Sequence, residues 1–440
     1  MKLIEEILEY SNIMSAVQRV KSNKGASGID NMSVDEINSY FKDNYETIVN
    51  NIKERKYQPL PVRRVYIPKS NGKLRPLGIP TVIDRVIQQA IAQILVPIYE
   101  PIFSDYSFGF RPERDCHKAM DKALEYINDG YDFIIDFDIK KYFDTVNHDK
   151  LISILREHVF DSDTLHLIRL FLKAGIMEDG LISPSEEGVP QGGPLSPVLS
   201  NIYLDKLDKE LESRGLRFVR YADDFDIFVK SKKSAKRVKE SIIWWLERKL
   251  FLEVSEEKTV ITKPNGSEFL GFTYWKSKGN WRVTPLKSRK QKLEKKIKEI
   301  TLRKKAIARP LGETFTRINQ VVIGWINYYK IGDMKEFLKR DFGPWLRHKV
   351  RVIILKQWKK RPTIYKNLCK INRITKANIQ EERIYSIANA RQGLYRMAMI
   401  QDINYLISPK LLATSNKEKN RPGLVDPYQY YLSKIGSIIL

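Results

Sequence analysis

An adjacent pair of aspartates, Asp223 and Asp224, interrupts an otherwise apolar stretch that runs from Phe218 to Val229. The β-prone runs on either side, 217–222 and 225–229, read as the two strands of a hairpin with its carboxylates at the turn. Two like charges in an apolar hairpin repel each other and are costly to desolvate unless a cation shares them. A hard divalent cation, which takes oxygen ligands, is the natural candidate. Taken alone, an Asp-Asp step is ordinarily a solvated turn, so its meaning depends on what else the chain supplies.

A third acid is supplied by Phe133-Ile134-Ile135-Asp136-Phe137-Asp138-Ile139-Lys140, which reads as a buried strand. Side chains alternate along a strand, so Asp136 and Asp138 share one face while Phe133, Ile135, Phe137 and Ile139 share the other. Asp138 falls at the strand end, where it can face a site. Asp136, one pleat earlier, is expected to be hydrogen-bonded or at the rim. Two divalent cations about 3.5–4 Å apart can clamp the attacking and leaving oxygens of an in-line phosphoryl transfer. Asp138, Asp223 and Asp224 have the chemistry to hold them, with magnesium the choice for oxygen ligands and a triphosphate.

The opposing charge comes from a second hairpin. The β-prone runs 62–69 and 73–80 flank Ser70-Asn71-Gly72, and Asn-Gly between such runs marks a tight turn. It places Lys69, Lys73 and Arg75 together, where they could neutralise a polyphosphate; a merely exposed basic hairpin would look the same.

The net charge of +24 is distributed unevenly. Residues 1–275 hold 39 Lys/Arg against 42 Asp/Glu, and residues 276–440 hold 38 against 11, so the excess belongs to the last third. A basic region joined to a near-neutral body reads as a nucleic-acid-binding surface. Within that region Trp325, Tyr328, Tyr329, Trp345, Trp358 and Tyr365 are interleaved with cations, as suits RNA, which takes stacking platforms beside phosphate contacts. No apolar run is long enough to span a membrane. With two cysteines, Cys116 and Cys369, there is neither a disulfide framework nor a cysteine-based zinc site, which points to a reducing, cytoplasmic setting.

Several other segments carry structural expectations. Residues 1–50 read as mostly helical around a basic Gly-containing loop at 23–30. Helical apolar spacing over 82–98 predicts a core helix with Gln88 and Gln89 on its polar face. Phe108-Gly109-Phe110-Arg111-Pro112 forms a stiff turn before a helix at 114–129, and Arg111 is either a template contact or a packing residue. In the glycine-proline loop 188–197, Ser196 suits a helix N-cap and Pro197 the first helical position. His148, with no His/Cys cluster to join, reads as structural. Phe269-Leu270-Gly271-Phe272-Thr273-Tyr274 reads as a short strand, and 287–307 as a helix with one apolar and one basic face.

Together these motifs resemble the group II intron-encoded reverse transcriptases, or maturases, from Asn23 to about Gly332. The resemblance rests on Gly25–Asp30, Leu74–Pro80, Ser107–Pro112, Asp138–Asp144, Pro190–Gly193, Tyr221–Asp224, Phe269–Phe272 and Gly324–Tyr329, in that order. It implies an α+β, right-hand polymerase whose fingers and antiparallel-sheet palm precede an all-α thumb or X domain. The implied divisions are an N-terminal extension at 1–60, fingers and palm at 61–284, thumb at 285–376, and a basic segment at 377–440. Asp138, Asp223 and Asp224 would be the catalytic carboxylates holding two Mg2+ ions, with the Ile139 carbonyl as a further ligand. Lys69 and Arg75 would touch the triphosphate, Gln191 and Gly192 the nascent base pair, and Phe143 the sugar edge, favouring dNTPs. Phe269, Leu270, Gly271 and Arg111 would contact primer or template, and the loop 23–31 would cover the template. Expected partners are an RNA template, intron RNA, a DNA primer or target, and dNTPs, with no membrane. The resemblance departs from many relatives in lacking Cys-x-x-Cys pairs, so no DNA-cleaving domain is expected, leaving at most a short DNA-binding segment from about 377. The competing readings are a non-catalytic RNA-binding splicing cofactor, and a reverse transcriptase serving defence or repair.

Overall fold

Strand β3, Phe133–Asp138, forms the spine of the N-terminal unit. Here and below, the fold is that of a computed structural model, which describes residues 2–68, 72, 74–178, 180–415 and 421–436. β3 pairs antiparallel on one side with β7 (Asp224–Val229) and on the other with β8 (Val260–Thr262). β6 (Arg217–Tyr221) closes the far edge, giving the order β6-β7-β3-β8. This sheet is antiparallel throughout, as expected. Its apolar face, with Ile135, Phe137, Phe225 and Ile227, joins a core built on the helices Val82–Tyr99 and Ser196–Ser213. Phe137 and Phe225 stack across the strands at 4.7 Å.

A second sheet has the order β2-β1-β4-β5 and is mixed. β1 (Val62–Pro68) and β2 (Leu74–Ile79) are the expected antiparallel hairpin, with Pro68 opposite Leu74. β4 (Ile176–Glu178) runs parallel to β1, and β5 (Leu181–Ser183) lies at the edge.

The chain divides into two compact units, Met1–Ser267 and Glu268–Leu440. The division falls ahead of the 284/285 boundary expected from the sequence. The reason is local: β9 (Phe272–Ser277) and β10 (Asn280–Pro285) form a hairpin whose Phe272 packs on Tyr328 and Tyr329 of the helix Leu311–Tyr329. The 269–274 segment also differs from a single strand. Leu270 and Gly271 have φ of +51° and +82°, making a turn in front of β9. A Cβ at Gly271 would sit 2.9 Å from the Tyr329 hydroxyl, so the turn packs closely on that tyrosine. The rest of the second unit is helical; residues beyond 376 add short helices, of which Pro427–Ile435 packs on Leu311–Tyr329.

At the other end, residues 1–60 are continuous with the main core, to which Ile4, Ile13, Val17, Phe41 and Ile52 all contribute. The loop 23–31 is pinned to the body: Arg63 donates to the Ser27 carbonyl at 2.6 Å and Arg85 to that of Ala26 at 2.7 Å.

Candidate active site

The register of the central sheet sets Asp138 directly opposite Asp224, and Asp136 directly opposite Asp226. Residues paired across an antiparallel sheet share a face, so these four carboxylates form a two-by-two array. Tyr221 pairs with Asp224, leaving Ala222 and Asp223 as the hairpin turn. Asp224 is therefore the first residue of a strand, whereas the sequence placed both aspartates in the turn.

Like charges this close cannot all stay ionised without compensation. Burial, then Asp136, Asp223 and Asp138 in turn, push Asp224 up to about 7. Burial also raises Asp223, with Asp138 adding to the rise and Arg75 opposing it. Arg75 of the β1–β2 hairpin is thus within electrostatic reach of Asp223. Lys69 and Lys73 lie outside the described residues. Asp226 is fully buried, neither carboxylate oxygen has a hydrogen-bond partner, and burial drives its pKa well upward. The sequence reading did not single Asp226 out, although alternation along β7 puts it on the same face as Asp224.

A cation does reach the array. Lys258 Nζ lies 2.9 Å from Asp138 Oδ1 and 3.1 Å from Oδ2. The lysine comes from the loop before β8, and nothing in its sequence surroundings marked it. Among the described residues no three His, Cys, Asp or Glu side chains are gathered into a ready-made metal cage. Magnesium typically takes one or two carboxylates and completes its shell with water and substrate phosphates. Asp138, Asp223 and Asp224 have the oxygen donors such an ion takes, and here the Lys258 ammonium neutralises Asp138.

The turn is held from behind. Ala222 sits at φ +60°, a left-handed conformation that alanine adopts only under constraint. Arg220 is completely buried; its Nη1 donates to the Ala222 carbonyl and to Asn201 Oδ1, each at 3.0 Å. Its other nitrogens grip Asp208 at 2.7 and 2.5 Å. Asn201 in turn donates to the Gly109 carbonyl at 2.8 Å, and a Cβ at Gly109 would stand 2.4 Å from the Ala222 nitrogen. Glycine is required there because two backbones touch.

The loop 188–193 is fastened between the same elements. Val189 N donates to the Phe143 carbonyl at 2.6 Å, and Gly78 N donates to the Gln191 carbonyl at 2.8 Å. Gly192, at φ +125°, has room for no side chain, since a Cβ would lie 2.3 Å from the Gly78 carbonyl oxygen. Phe143, Gln191 and Gly192 are thus brought to one region, against the strand β2 that also carries Arg75. Phe143 is half-buried with its ring edge-on to Tyr142. Ile139 follows the strand end and bridges to Val254.

Three expectations need correcting. Arg111 is no template contact: its side chain is buried, paired with Glu100 at 2.8 Å and hydrogen-bonded to the Ser104 and Ser107 carbonyls. A guanidinium with every direction satisfied inside the fold has none left for nucleic acid. Gln88 is not on a polar face; it is buried against Gly193, where a Cβ would meet its Oε1 at 2.1 Å. Ser196 is the first helical residue instead of the cap, and its hydroxyl donates to the Pro190 carbonyl at 2.6 Å. Asp136 is half-buried and faces the buried Asp226. His148, by contrast, is buried with Nε2 2.7 Å from the Gly188 carbonyl, a structural role as expected.

An antiparallel palm with aspartates at the end of its central strand and in the adjoining turn, followed by a helical unit, defines the right-hand polymerases. The model for "Reverse transcriptase (RNA-dependent DNA polymerase)" matches residues 67–274, and that for "Group II intron, maturase-specific domain" matches 290–371. Protein YkfC of Escherichia coli (strain K12) is 34% identical over 311 residues, covering 61% of this chain and 82% of that protein. Group II intron-encoded protein LtrA of Lactococcus lactis subsp. cremoris is 36% identical over 323 residues, covering 58% of this chain and 54% of LtrA. The putative COX1/OXI3 intron 1 protein of Saccharomyces cerevisiae is 28% identical over 404 residues, covering 78% of this chain and 47% of that protein. The chain belongs to the reverse transcriptase family, in the group that joins the polymerase to a group II intron maturase domain. It spans about half the length of LtrA. Among the described residues no helix is long and apolar enough to cross a membrane.

Proposed function

We propose that this protein is an RNA-directed DNA polymerase that copies intron RNA into DNA and assists splicing by binding that RNA in the cytoplasm. The observation that carries the reading is the register pairing of Asp138 with Asp224 beside the Asp223 turn, with Arg75 electrostatically coupled to it. In the reaction the primer 3′-hydroxyl attacks the α-phosphorus of a dNTP; a P–O bond forms to the primer and the bond to pyrophosphate breaks. Asp138, Asp223, Asp224 and the Ile139 carbonyl would hold two Mg2+ ions. When bound, these ions lower the pKa of the attacking hydroxyl and offset charge on the departing oxygen.

The protein's own groups do the rest. Arg75, with Lys69, would bind the triphosphate and neutralise it before attack. Gln191 and Gly192 would line the nascent base pair, where a side chain at Gly192 is already excluded by Gly78. Phe143 would close the space beside the sugar 2′ position and favour deoxynucleotides. The turn Phe269-Leu270-Gly271 would contact the primer, the loop 23–31 the template, residues 285–376 the intron RNA, and 377–440 target DNA.

The test is primer extension on an RNA template with Mg2+ and dNTPs. The wild-type protein should extend, and Asp223→Ala should leave no measurable synthesis; equal synthesis by the variant would sink the assignment.

A further inference from the structure

Phe110 is the residue of the 107–111 loop whose side chain stands more than half in solvent. Each of its neighbours is locked. Phe108 is buried and its nitrogen donates to the Arg220 carbonyl at 2.8 Å. Gly109 lies against the catalytic turn at Ala222, and Arg111 is tied to Glu100, Ser104 and Ser107. Phe110 itself sits at φ +58° and is 53% exposed. Glycine takes that conformation freely, and a bulky aromatic does so only when its surroundings impose it. Its ring neighbour is Tyr221, with centroids 6.5 Å apart and planes at 44°.

A single exposed apolar residue is normal on a protein surface and by itself means nothing. This one combines a strained backbone with a place beside the residue that opens the Ala222-Asp223 turn. Strain of this kind persists where the surroundings over-determine it, and it concentrates at sites that bind. An exposed aromatic face suits a nucleobase, because every base has a π-face to stack.

We infer that Phe110, with Tyr221, forms an aromatic platform on which a base of the primer–template stacks at its growing end. The inference rests on the polymerase reading and assigns this loop's nucleic-acid contact to Phe110 in place of Arg111. The loss of one base stack weakens binding by a factor on the order of 5 to 100, while relief of the left-handed strain leaves the fold no worse.

The experiment measures equilibrium binding of a fluorescent RNA/DNA primer–template in EDTA, so neither metal nor turnover enters. Phe110→Ala and Phe110→Gly should weaken binding by a factor of roughly 5 to 100, and Phe110→Tyr should stay close to wild type. The thermal midpoint of Phe110→Gly should match or exceed wild type, separating lost stacking from lost folding. With an abasic nucleotide at the primer terminus or its template partner, wild type and Phe110→Ala should bind alike at whichever position stacks on the ring. Unchanged binding by Phe110→Ala, or a lower thermal midpoint for Phe110→Gly, overturns the inference and leaves the polymerase reading standing. A wild-type protein that binds no primer–template overturns the polymerase reading instead.

Discussion

The guanidinium of Arg220 and the carboxylate of Asp208 meet in a two-point ion pair from which solvent is excluded on both sides. Burial alone would lower the arginine's pKa, but the Asp208 carboxylate outweighs it and the net shift is upward. The same guanidinium holds the Ala222 carbonyl, so the pair fixes the turn that presents Asp223. Removing one partner of such a pair strands a buried charge, at a cost of about 3–5 kcal/mol. Arg220→Ala should therefore unfold at clearly lower denaturant. Arg220→Lys keeps the charge but cannot span Asp208 and Ala222 together; it should retain most of the stability while single-turnover extension slows about tenfold or more. Parallel denaturant melts and single-turnover kinetics check both outcomes.

Asp205 gives a pH signature of stability away from the acids of the sheet. Burial, reinforced by Asp208, raises its carboxyl to about 6, and the Ser104 nitrogen donates to it at 3.4 Å. A carboxyl whose folded pKa lies above its unfolded value favours the fold while protonated in both states. That contribution is lost as pH rises from about 4, near the unfolded value, through about 6. Asp205→Asn keeps an acceptor for Ser104 without the charge. Its melting temperature should exceed wild type at pH 7.5, by the equivalent of up to about 2–3 kcal/mol, and the advantage should shrink towards pH 4.5. An advantage independent of pH would remove the assigned cause.

The central hairpin, the strand of Asp138 and the basic β1–β2 hairpin were legible because each combines a period-of-two pattern with turn residues. What was not legible depends on register and on chain-distant contacts. The Asp136–Asp226 pairing follows only once β3 and β7 are aligned at Asp138 and Asp224. Lys258 reaches Asp138 across 120 residues of chain, and one lysine in a loop carries no sequence signal. Arg111 was misread because a charged residue next to aromatics looks alike whether it faces nucleic acid or Glu100. Gln88 was misread because glutamine beside apolar residues is ordinarily solvated, and here the missing side chain of Gly193 makes room for it. The Phe269–Tyr274 segment was read as a strand because its residues are β-prone, whereas Leu270 and Gly271 turn the chain.

Phe143 offers a test of substrate choice. Its backbone is fixed by the hydrogen bond from Val189 and its ring by Tyr142 at 5.1 Å, so the side chain cannot easily withdraw. If the ring closes the space at the sugar 2′ position, Phe143→Ala should admit ribonucleotides. The ratio of dNTP to rNTP incorporation, from kcat/KM for each, should fall by about 10–100-fold, equivalent to roughly 1.4–2.7 kcal/mol of lost discrimination. A ratio that stays at the wild-type value would place the discriminating contact elsewhere.

Gly109→Ala tests how closely the Ala222-Asp223 turn depends on the backbone behind it. The new Cβ would stand 2.4 Å from Ala222 N, 3.0 Å from Tyr221 C and 3.2 Å from Ala222 Cα. All three atoms are backbone, so no side chain can rotate away, and the turn has to move by about 1 Å to reach ordinary contact. A displacement of that size at reacting groups lowers the rate by on the order of 100-fold. The hydrogen bond from Asn201 to the Gly109 carbonyl and the buried Arg220 brace resist any movement on the other side. Extension by Gly109→Ala should accordingly fall by about that factor, with primer–template affinity in EDTA reduced far less. Equal losses in binding and in rate would mean that the substitution disrupts the surface that holds the substrate and does not act through the position of Asp223.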